Sequence, residues 1–199
     1  MAGAGMHETL NIDVCVIGGG AGGLSVAAGA AQMGSQTVLL ERNKMGGDCL
    51  NYGCIPSKAL LASGETTKVV READRFGISA SFLGSNSKEV YSHLHDTISA
   101  IALNDSVERF EGLGVRVIKA AGKFVGRQEV EADGIRIKAR RIVISTGSSS
   151  YIPSIQGLDQ VAYLTNETIF TLGQLPGHLV VIGGGPSGIE LAQAHSQLG

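Results

Sequence analysis

The sequence lacks the features that mark several classes of protein. Its formal net charge is only −2 over 199 residues, and no cluster of Lys or Arg supplies a basic patch for nucleic acid. No run reaches the roughly 18 uninterrupted apolar residues of a membrane span. Residues 1–11 show neither the basic start nor the apolar core of a signal peptide. We therefore predict a soluble, cytoplasmic protein that has neither nucleic acid nor a membrane as a partner.

Cysteine is also scarce, with three residues in the chain. No second pair of Cys or His at ligand spacing follows Cys49 and Cys54, so we predict no metal site. Cys15 lies inside an apolar run and is interpreted as a small buried hydrophobe. Glycine, by contrast, is abundant at 29 residues and collects in loops after apolar runs, as in backbone that approaches phosphate.

The segment 46–58 (GGDCLNYGCIPSK) places Cys49 and Cys54 five positions apart. Because residues i and i+5 of a regular helix lie beyond disulfide reach, we expect Cys49 in an irregular turn and Cys54 at a helix start. The helix dipole stabilises a thiolate there, so Cys54 is the expected thiolate and Cys49 the sulfur that attacks substrate. A structural disulfide is the alternative, although so short a loop adds only about 2 kcal/mol of stability.

A glycine-rich turn follows the first apolar run. Residues 12–17 have the β-branched character of a buried parallel strand, and residues 21–33 that of a helix. The turn between them fits G-x-G-x-x-G through Gly18, Gly20 and Gly23. The next strand, 37–41, ends in Glu41, where a ribose-binding carboxylate belongs. This context predicts dinucleotide binding, and the alternative is a non-binding glycine turn of an α/β domain.

Apolar periodicity gives the remaining elements. We predict helices over 57–76 and 88–111 and a short capped helix that begins at Thr165 or Asn166. We predict strands at 115–118, 122–125, 129–131, 135–137 and 141–147. An Asp133-Gly134 turn is expected to join the third and fourth of these strands as a hairpin.

A second fingerprint lies near the end of the sequence. A predicted strand at 178–182 leads into a glycine turn and a helix over 189–198. The turn fits the same pattern through Gly183, Gly185 and Gly188. One strand and one helix do not complete a dinucleotide-binding unit, so we expect the chain to be a fragment.

Two nucleotide fingerprints that bracket the C-x4-C pair resemble the class I pyridine nucleotide-disulfide oxidoreductases. These FAD enzymes include dihydrolipoamide dehydrogenase, glutathione reductase and mercuric reductase. The resemblance implies an α/β fold: a Rossmann-like FAD-binding domain over 1–151, with a parallel sheet and a small antiparallel meander. Residues 152–199 would be the first strand and helix of a truncated Rossmann-like NAD(P)-binding domain.

The resemblance also implies which residues bind the cofactors FAD and NAD or NADP. They are Gly18, Gly20, Ala21, Gly22, Gly23, Glu41, Gly47, Asp48, Lys58, Ala120, Thr146, Gly147, Gly183, Gly185, Gly188 and Glu190. Glu41 would bind the adenosine ribose, and Lys58 would lie near the flavin N5 with Glu190 as its acidic partner. Asp48 departs from the family pattern, because relatives often carry Thr there and an ionised carboxylate has no proton to donate to pyrophosphate.

In the family, electrons pass from NAD(P)H through FAD to a disulfide and on to substrate. The resemblance makes Cys49, Cys54 and Lys58 the catalytic residues and implies a small-molecule thiol, disulfide or lipoyl substrate, as in dihydrolipoamide dehydrogenase. A homodimer is implied for the full-length parent, and no N-terminal metal-capture domain is expected. Three alternatives stay open: a mercuric reductase-like enzyme, a catalytically incomplete FAD-binding fragment, and a flavoprotein oxidase or monooxygenase that lacks the disulfide step.

Overall fold

The computed structural model describes residues 8–199, which divide into two compact units. The first holds residues 8–49 and Ala102–Ser148, and the second holds Leu50–Ile101 and Ser149–Gly199. The strands are β1 (Thr9–Ile17), β2 (Thr37–Leu40), β3 (Val115–Ile118), β4 (Lys123–Gly126), β5 (Glu129–Ala132) and β6 (Ile135–Ile144). The helices are α1 (Ala21–Gln32), α2 (Gly47–Asn51), α3 (Cys54–Arg71), α4 (Ser87–Ala102), α5 (Val107–Gly112), α6 (Asn166–Ile169) and α7 (Pro186–Leu198). Residues 1–7, on which the signal-peptide expectation partly rests, lie outside the described residues.

The first unit is built on a sheet of strand order β3-β2-β1-β6-β5-β4. The strands β3, β2, β1 and β6 are parallel, while β6, β5 and β4 form the predicted antiparallel meander. The chain moves outward from β1 through β2 to β3, whereas β6 lies on the opposite side of β1. This reversal of direction creates a crevice at the carboxyl ends of β1 and β6, the usual ligand position of such sheets. The predicted α/β fold class is confirmed.

Alternate residues of β1 pack on opposite faces of the sheet, as strand geometry requires. Cys15 and Ile17 belong to a cluster formed with side chains of β2, β5 and β6. Val16 belongs to a second cluster in which Leu24 of α1 and Phe110 of α5 cover the other face. Both faces of β1 are therefore buried at its carboxyl end, Cys15–Ile17, which explains the continuous apolar sequence there.

The strands predicted at 135–137 and 141–147 are parts of one continuous strand, β6, which ends at Ile144. It pairs with β5 through its first half and with β1 over almost its whole length, from Arg136 to Ile144. Pairing with β1, which includes Lys138, Ala139 and Arg141, keeps the backbone extended through the charged stretch 138–141, where the sequence pattern predicted a break between strands. The predicted hairpin turn is confirmed, with positive φ at Asp133 (49°) and Gly134 (72°).

The single helix predicted over 88–111 is wrong. Helix α4 ends at Ala102, a 3₁₀ turn follows at Leu103–Asp105, and α5 begins at Val107. Ser106 separates them because its backbone is extended (φ −71°, ψ 155°) and its hydroxyl accepts a hydrogen bond from the Arg109 N–H. Serine competes for backbone donors in this way and therefore starts a new helix.

The second unit is helical in its core. Buried side chains of α3, α4, α6 and α7, with Phe170 directly after α6, form one cluster: Ala59, Leu60, Leu94, Ile169, Phe170, Leu191, Ala194 and Leu198. Helices α3 and α7 approach closely at Gly64, where a Cβ would lie 3.1 Å from the Ala194 carbonyl oxygen. The predicted short helix is α6, which Thr165 caps with its side chain. None of the helices in residues 8–199 has the length and apolarity to cross a bilayer.

The strand predicted at 178–182 does not form. This run pairs with no other segment of the described residues, and Val180 and Ile182 are 72% and 62% exposed. Its β-branched composition favours extended backbone, but a strand also needs a neighbour for its N–H and C=O groups.

Candidate dinucleotide and thiol sites

The first glycine turn joins β1 to α1 at the carboxyl edge of the sheet. Gly18 has φ +108°, and its N–H donates to the Leu40 carbonyl oxygen (2.8 Å). A Cβ on Gly23 would overlap the Gly18 carbonyl oxygen, so the turn closes this tightly only with glycine at both positions. The fingerprint therefore has the physical role assigned to its first and third glycines.

The segment before Cys49 lies directly on this turn. The Gly46 N–H donates to the Gly19 carbonyl oxygen (2.8 Å), and Gly20 pairs with Gly46 in an isolated parallel bridge. A Cβ on Gly47 would come within 2.6 Å of the Gly20 Cα. The glycine pair of the 46–58 segment is thus explained by backbone contact with the first fingerprint.

Glu41 follows β2 and is buried beside the same turn, with 8% exposure. Its Oε2 accepts a hydrogen bond from the Gly19 N–H, and its Oε1 accepts one from the Asn43 N–H, both at 2.6 Å. A carboxylate has about four lone-pair positions, so acceptor capacity for a ribose hydroxyl remains. The predicted ribose-binding residue is therefore fixed in place at the fingerprint.

The end of β6 completes this edge. The Ser145 N–H donates to the Ile17 carbonyl oxygen (2.8 Å), which extends the β1–β6 ladder to the glycine turn. Thr146 and Gly147 follow as exposed residues, and Gly147 has φ +70°. Ala120, after β3, is half-buried, and its N–H donates to the Ile118 carbonyl oxygen (2.9 Å).

The residues of this edge fit the phosphates of a dinucleotide. Helix α1 begins after Gly20 without a side-chain cap and has no acidic residue in its first turn. Ala21 and Gly22 are exposed there, so the first-turn backbone is accessible to an anion. Asp48 is exposed in the first turn of α2, where its carboxylate complements the dipole of that helix.

The three cysteines lie in different environments and none is joined in a disulfide. Cys49 is half-buried inside α2, so the irregular turn expected at this position is instead a short helical turn. Cys54 is exposed and is the first residue of α3, at the predicted helix start. Cys15 is fully buried as predicted, and burial raises the pKa of its thiol to about 11.

The second fingerprint, in the second unit, has the backbone of the first. Gly183 has φ +119°, and Gly185 precedes α7 with φ −74° and ψ 168°, close to −83° and −179° at Gly20. A Cβ on Gly188 would lie 2.7 Å from the Gly183 carbonyl oxygen. The same close helix–turn contact thus accounts for both glycine patterns.

Lys58 and Glu190 form the contact that the sequence predicted. The Lys58 Nζ lies 2.7 Å from Oε1 and 2.8 Å from Oε2 of Glu190. The Ser57 hydroxyl lies 2.8 Å from the same Oε2. Hydrogen bonds from Lys58 and then Ser57 hold the pKa of the Glu190 carboxyl below its ordinary value. Lys58 is one helical turn after Cys54, so both lie on one side of α3.

Sequence reasoning did not find two residues of these sites. Ser57 was assigned only to a helix start, and Gly46 was not given a role of its own, although its N–H donates to the glycine turn. For Gly46 the double glycine was a usable signal. For Ser57 no local signal exists, because its partner is 133 positions away.

The fold and the two glycine turns are those of the dinucleotide-binding class of α/β proteins. The family model described as pyridine nucleotide-disulphide oxidoreductase matches residues 12–199. The chain belongs to that family, whose members are oxidoreductases.

Similar proteins support the family, and a solved structure supports the fold. The chain is 35% identical to a mercuric reductase of Bacillus cereus, over 94% of this chain and 30% of that protein. It is 31% identical to a dihydrolipoyl dehydrogenase of Acholeplasma laidlawii, over 94% of this chain and 57% of that protein. It is similar in fold to the Cu(II) complex of the HOCl-induced flavoprotein disulfide reductase RclA from Escherichia coli, with a TM-score of 0.78. The sequence identity to that protein is 22%, and the match covers 94% of this chain and 40% of that one. The chain thus spans less than two thirds of the length of each of these proteins.

Proposed function

We propose that the chain is the FAD-binding part of a disulfide oxidoreductase, together with the opening of its NAD(P) site. The observation that carries the proposal is Cys54, exposed at the first residue of α3 and followed one turn later by Lys58, which Glu190 holds. When bound, FAD supplies two-electron transfer between a nicotinamide and a disulfide. The residues proposed to hold it are the first glycine turn, Glu41, Gly47, Ala120, Thr146 and Gly147.

The proposed thiol chemistry uses Cys49 and Cys54. Two electrons and two protons convert their disulfide into two thiols. The Cys49 thiolate attacks one sulfur of a substrate disulfide, which forms a mixed disulfide and releases the other substrate sulfur as a thiol. The Cys54 thiolate then attacks the Cys49 sulfur, releases the second thiol and restores the disulfide.

Two features of the chain favour these roles. Cys54 is the first residue of α3, at the positive end of the helix dipole. The Lys58 ammonium, paired with Glu190, would supply a positive charge that stabilises the negative charge of a reduced cofactor. A fixed charge costs no reorganisation during reaction, so the ion pair is proposed as part of the redox site.

For the substrate we propose a dithiol or disulfide of the lipoyl type, with a mercuric reductase-like activity as the second candidate. The similarity to mercuric reductases, at 35% identity in Bacillus cereus, specifically favours that second candidate. The sequence favours neither NAD nor NADP, because that choice depends on the strand after the second fingerprint.

We also propose a reducing, cytoplasmic compartment and a homodimer for the full-length protein. A cytosol keeps cysteines reduced unless they are catalytic, which suits a pair that cycles. The net charge of −2 gives no electrostatic attraction toward nucleic acid or an anionic membrane.

The proposal is tested by reducing the FAD-loaded chain anaerobically with a dithiol such as dihydrolipoamide. With dithiol in excess of the two electrons that reduce the disulfide, we expect the flavin absorbance to bleach in the unmodified chain and in Cys15→Ala, and to persist in Cys49→Ser and Cys54→Ser. Bleaching that survives both serine variants contradicts the disulfide step and favours an oxidase or monooxygenase. Bleaching by NADH or NADPH separates a working nicotinamide site from a catalytically incomplete FAD-binding fragment.

A further inference from the structure

Ser57 is the third member of the Lys58–Glu190 contact, and it is the buried one. Ser57 as a whole is only 4% exposed, whereas the side chains of Lys58 and Glu190 are 59% and 26% exposed. Its hydroxyl oxygen lies 2.8 Å from the Glu190 Oε2 and 3.4 Å from the Lys58 Nζ. The hydroxyl therefore donates to the carboxylate and accepts from the ammonium.

The hydroxyl has a second acceptor within reach, the Cys54 carbonyl oxygen at 3.3 Å. A serine inside a helix often bonds back to such a carbonyl, and that bond has no function beyond satisfying the side chain. Ser57 carries one hydroxyl proton, however, and the carboxylate is both nearer and charged. Charge-assisted hydrogen bonds are shorter and stronger than neutral ones, so the proton goes to Glu190.

An exposed Lys–Glu pair is by itself a weak and mobile contact, since water screens it and two long side chains lose freedom. A buried hydroxyl at 2.8 Å from one carboxylate oxygen restricts the carboxylate to one orientation. The two oxygens then receive the ammonium together, at 2.7 and 2.8 Å. The position of the Lys58 charge thus depends on a side chain that does not itself carry charge.

We propose that Ser57 is a positioning residue, which orients the Glu190 carboxylate and through it fixes the Lys58 ammonium. The effect on a reaction rests on the proposed function, but the coupling of the three side chains does not. The lowered pKa of Glu190 has hydrogen bonds from both Lys58 and Ser57 among its causes, which agrees with this role.

The test follows the Glu190 carboxyl carbon by NMR as the pH of the 199-residue chain is lowered, without FAD. We expect the titration midpoint of Glu190 to rise in Ser57→Ala, because the carboxylate loses a donor to its charged form. Alanine favours helix more than serine does, so α3 is expected to stay folded. Ser63→Ala is the matched control, because the Ser63 hydroxyl in the same helix donates only to the Ala59 carbonyl oxygen (3.2 Å). It should leave the midpoint unchanged.

The Lys58→Met variant distinguishes a positioning role of Ser57 from the alternative that Ser57 and Lys58 contact Glu190 independently. Alone it should also raise the midpoint, and combined with Ser57→Ala it should raise it by less than the sum, because a carboxylate without Ser57 holds the ammonium poorly. An unchanged midpoint in Ser57→Ala, or additive shifts in the double variant, would overturn the proposal. A chain that shows the expected shifts but binds no FAD contradicts the proposed function and still supports the positioning role.

Discussion

At the scale of single residues, Cys15 and Cys54 show how environment separates two identical side chains. Cys15 is fully buried between β2 and β6, and its thiol pKa is raised from 9.0 to about 11. Cys54 is exposed at the first residue of α3. Only the second has access to a substrate, so the two thiols are expected to differ in chemistry.

The burial of Cys15 predicts a loss of stability at high pH. Between pH 9.0 and about 11 the unfolded chain releases the Cys15 proton while the folded chain keeps it. Unfolding is then favoured as pH rises, and the full effect of a two-unit shift is up to about 3 kcal/mol. The free energy of unfolding, measured with denaturant, should decrease less between pH 8 and pH 11 in Cys15→Ala than in the unmodified chain. Equal decreases would mean that Cys15 does not contribute.

Glu41 is expected to stabilise the glycine turn even without a ligand. In Glu41→Gln an NH₂ group replaces one of the two carboxylate oxygens. The N–H donor that this oxygen accepted from, of Gly19 or of Asn43, then has no acceptor. An unsatisfied buried donor costs about 1 to 3 kcal/mol. Thermal unfolding should show a lower Tm for this variant and weaker FAD binding. The exposed Glu65→Gln is the control, and a Tm equal to that control would contradict the role.

At the scale of elements, two of the three glycines of α1 have opposite predicted responses to alanine. A Cβ at Gly29 meets no atom within 4 Å, so Gly29→Ala should stabilise the helix by about 0.5 to 1 kcal/mol. A Cβ at Gly23 overlaps the Gly18 carbonyl oxygen, so Gly23→Ala should cost about 3 kcal/mol or more despite the same gain in helix propensity.

Denaturant unfolding of both variants measures the difference directly. The glycine turn should also lose FAD affinity in Gly23→Ala, since the turn must open to admit the methyl group. If the two variants had similar stability, the close packing of turn and helix would not be what requires glycine at this position.

Elements were predictable from sequence where local patterns decide them. The strand-turn-helix from β1 to α1 and the Asp133-Gly134 hairpin follow from alternation and turn residues. The break at Ser106 was missed because the apolar period continues across it, and only the cap from Ser106 to Arg109 reveals the new helix. The missing strand at 178–182 shows the converse, since β-branched composition does not supply a pairing partner.

At the scale of the whole molecule, the sequence predicted the family and its glycine turns better than the packing. The glycine turns and the Lys58–Glu190 contact were predicted, the latter through the family resemblance. The shared core of α3 and α7 was not, because Leu60 and Leu191 are far apart in sequence and no periodicity links them. Ser57 was missed for the same reason. The domain boundary at residue 151 stays a prediction.

The visible spectrum of the purified 199-residue chain, incubated with FAD and then freed of unbound FAD, tests the central claim most directly. We predict bound flavin that gains a long-wavelength charge-transfer band after mild dithiol reduction, with the band lost in Cys54→Ser and unaffected in Cys15→Ala. Such a band requires a Cys54 thiolate beside the flavin. A colourless protein, or a flavin spectrum that the Cys54 substitution leaves unaltered, would contradict the account.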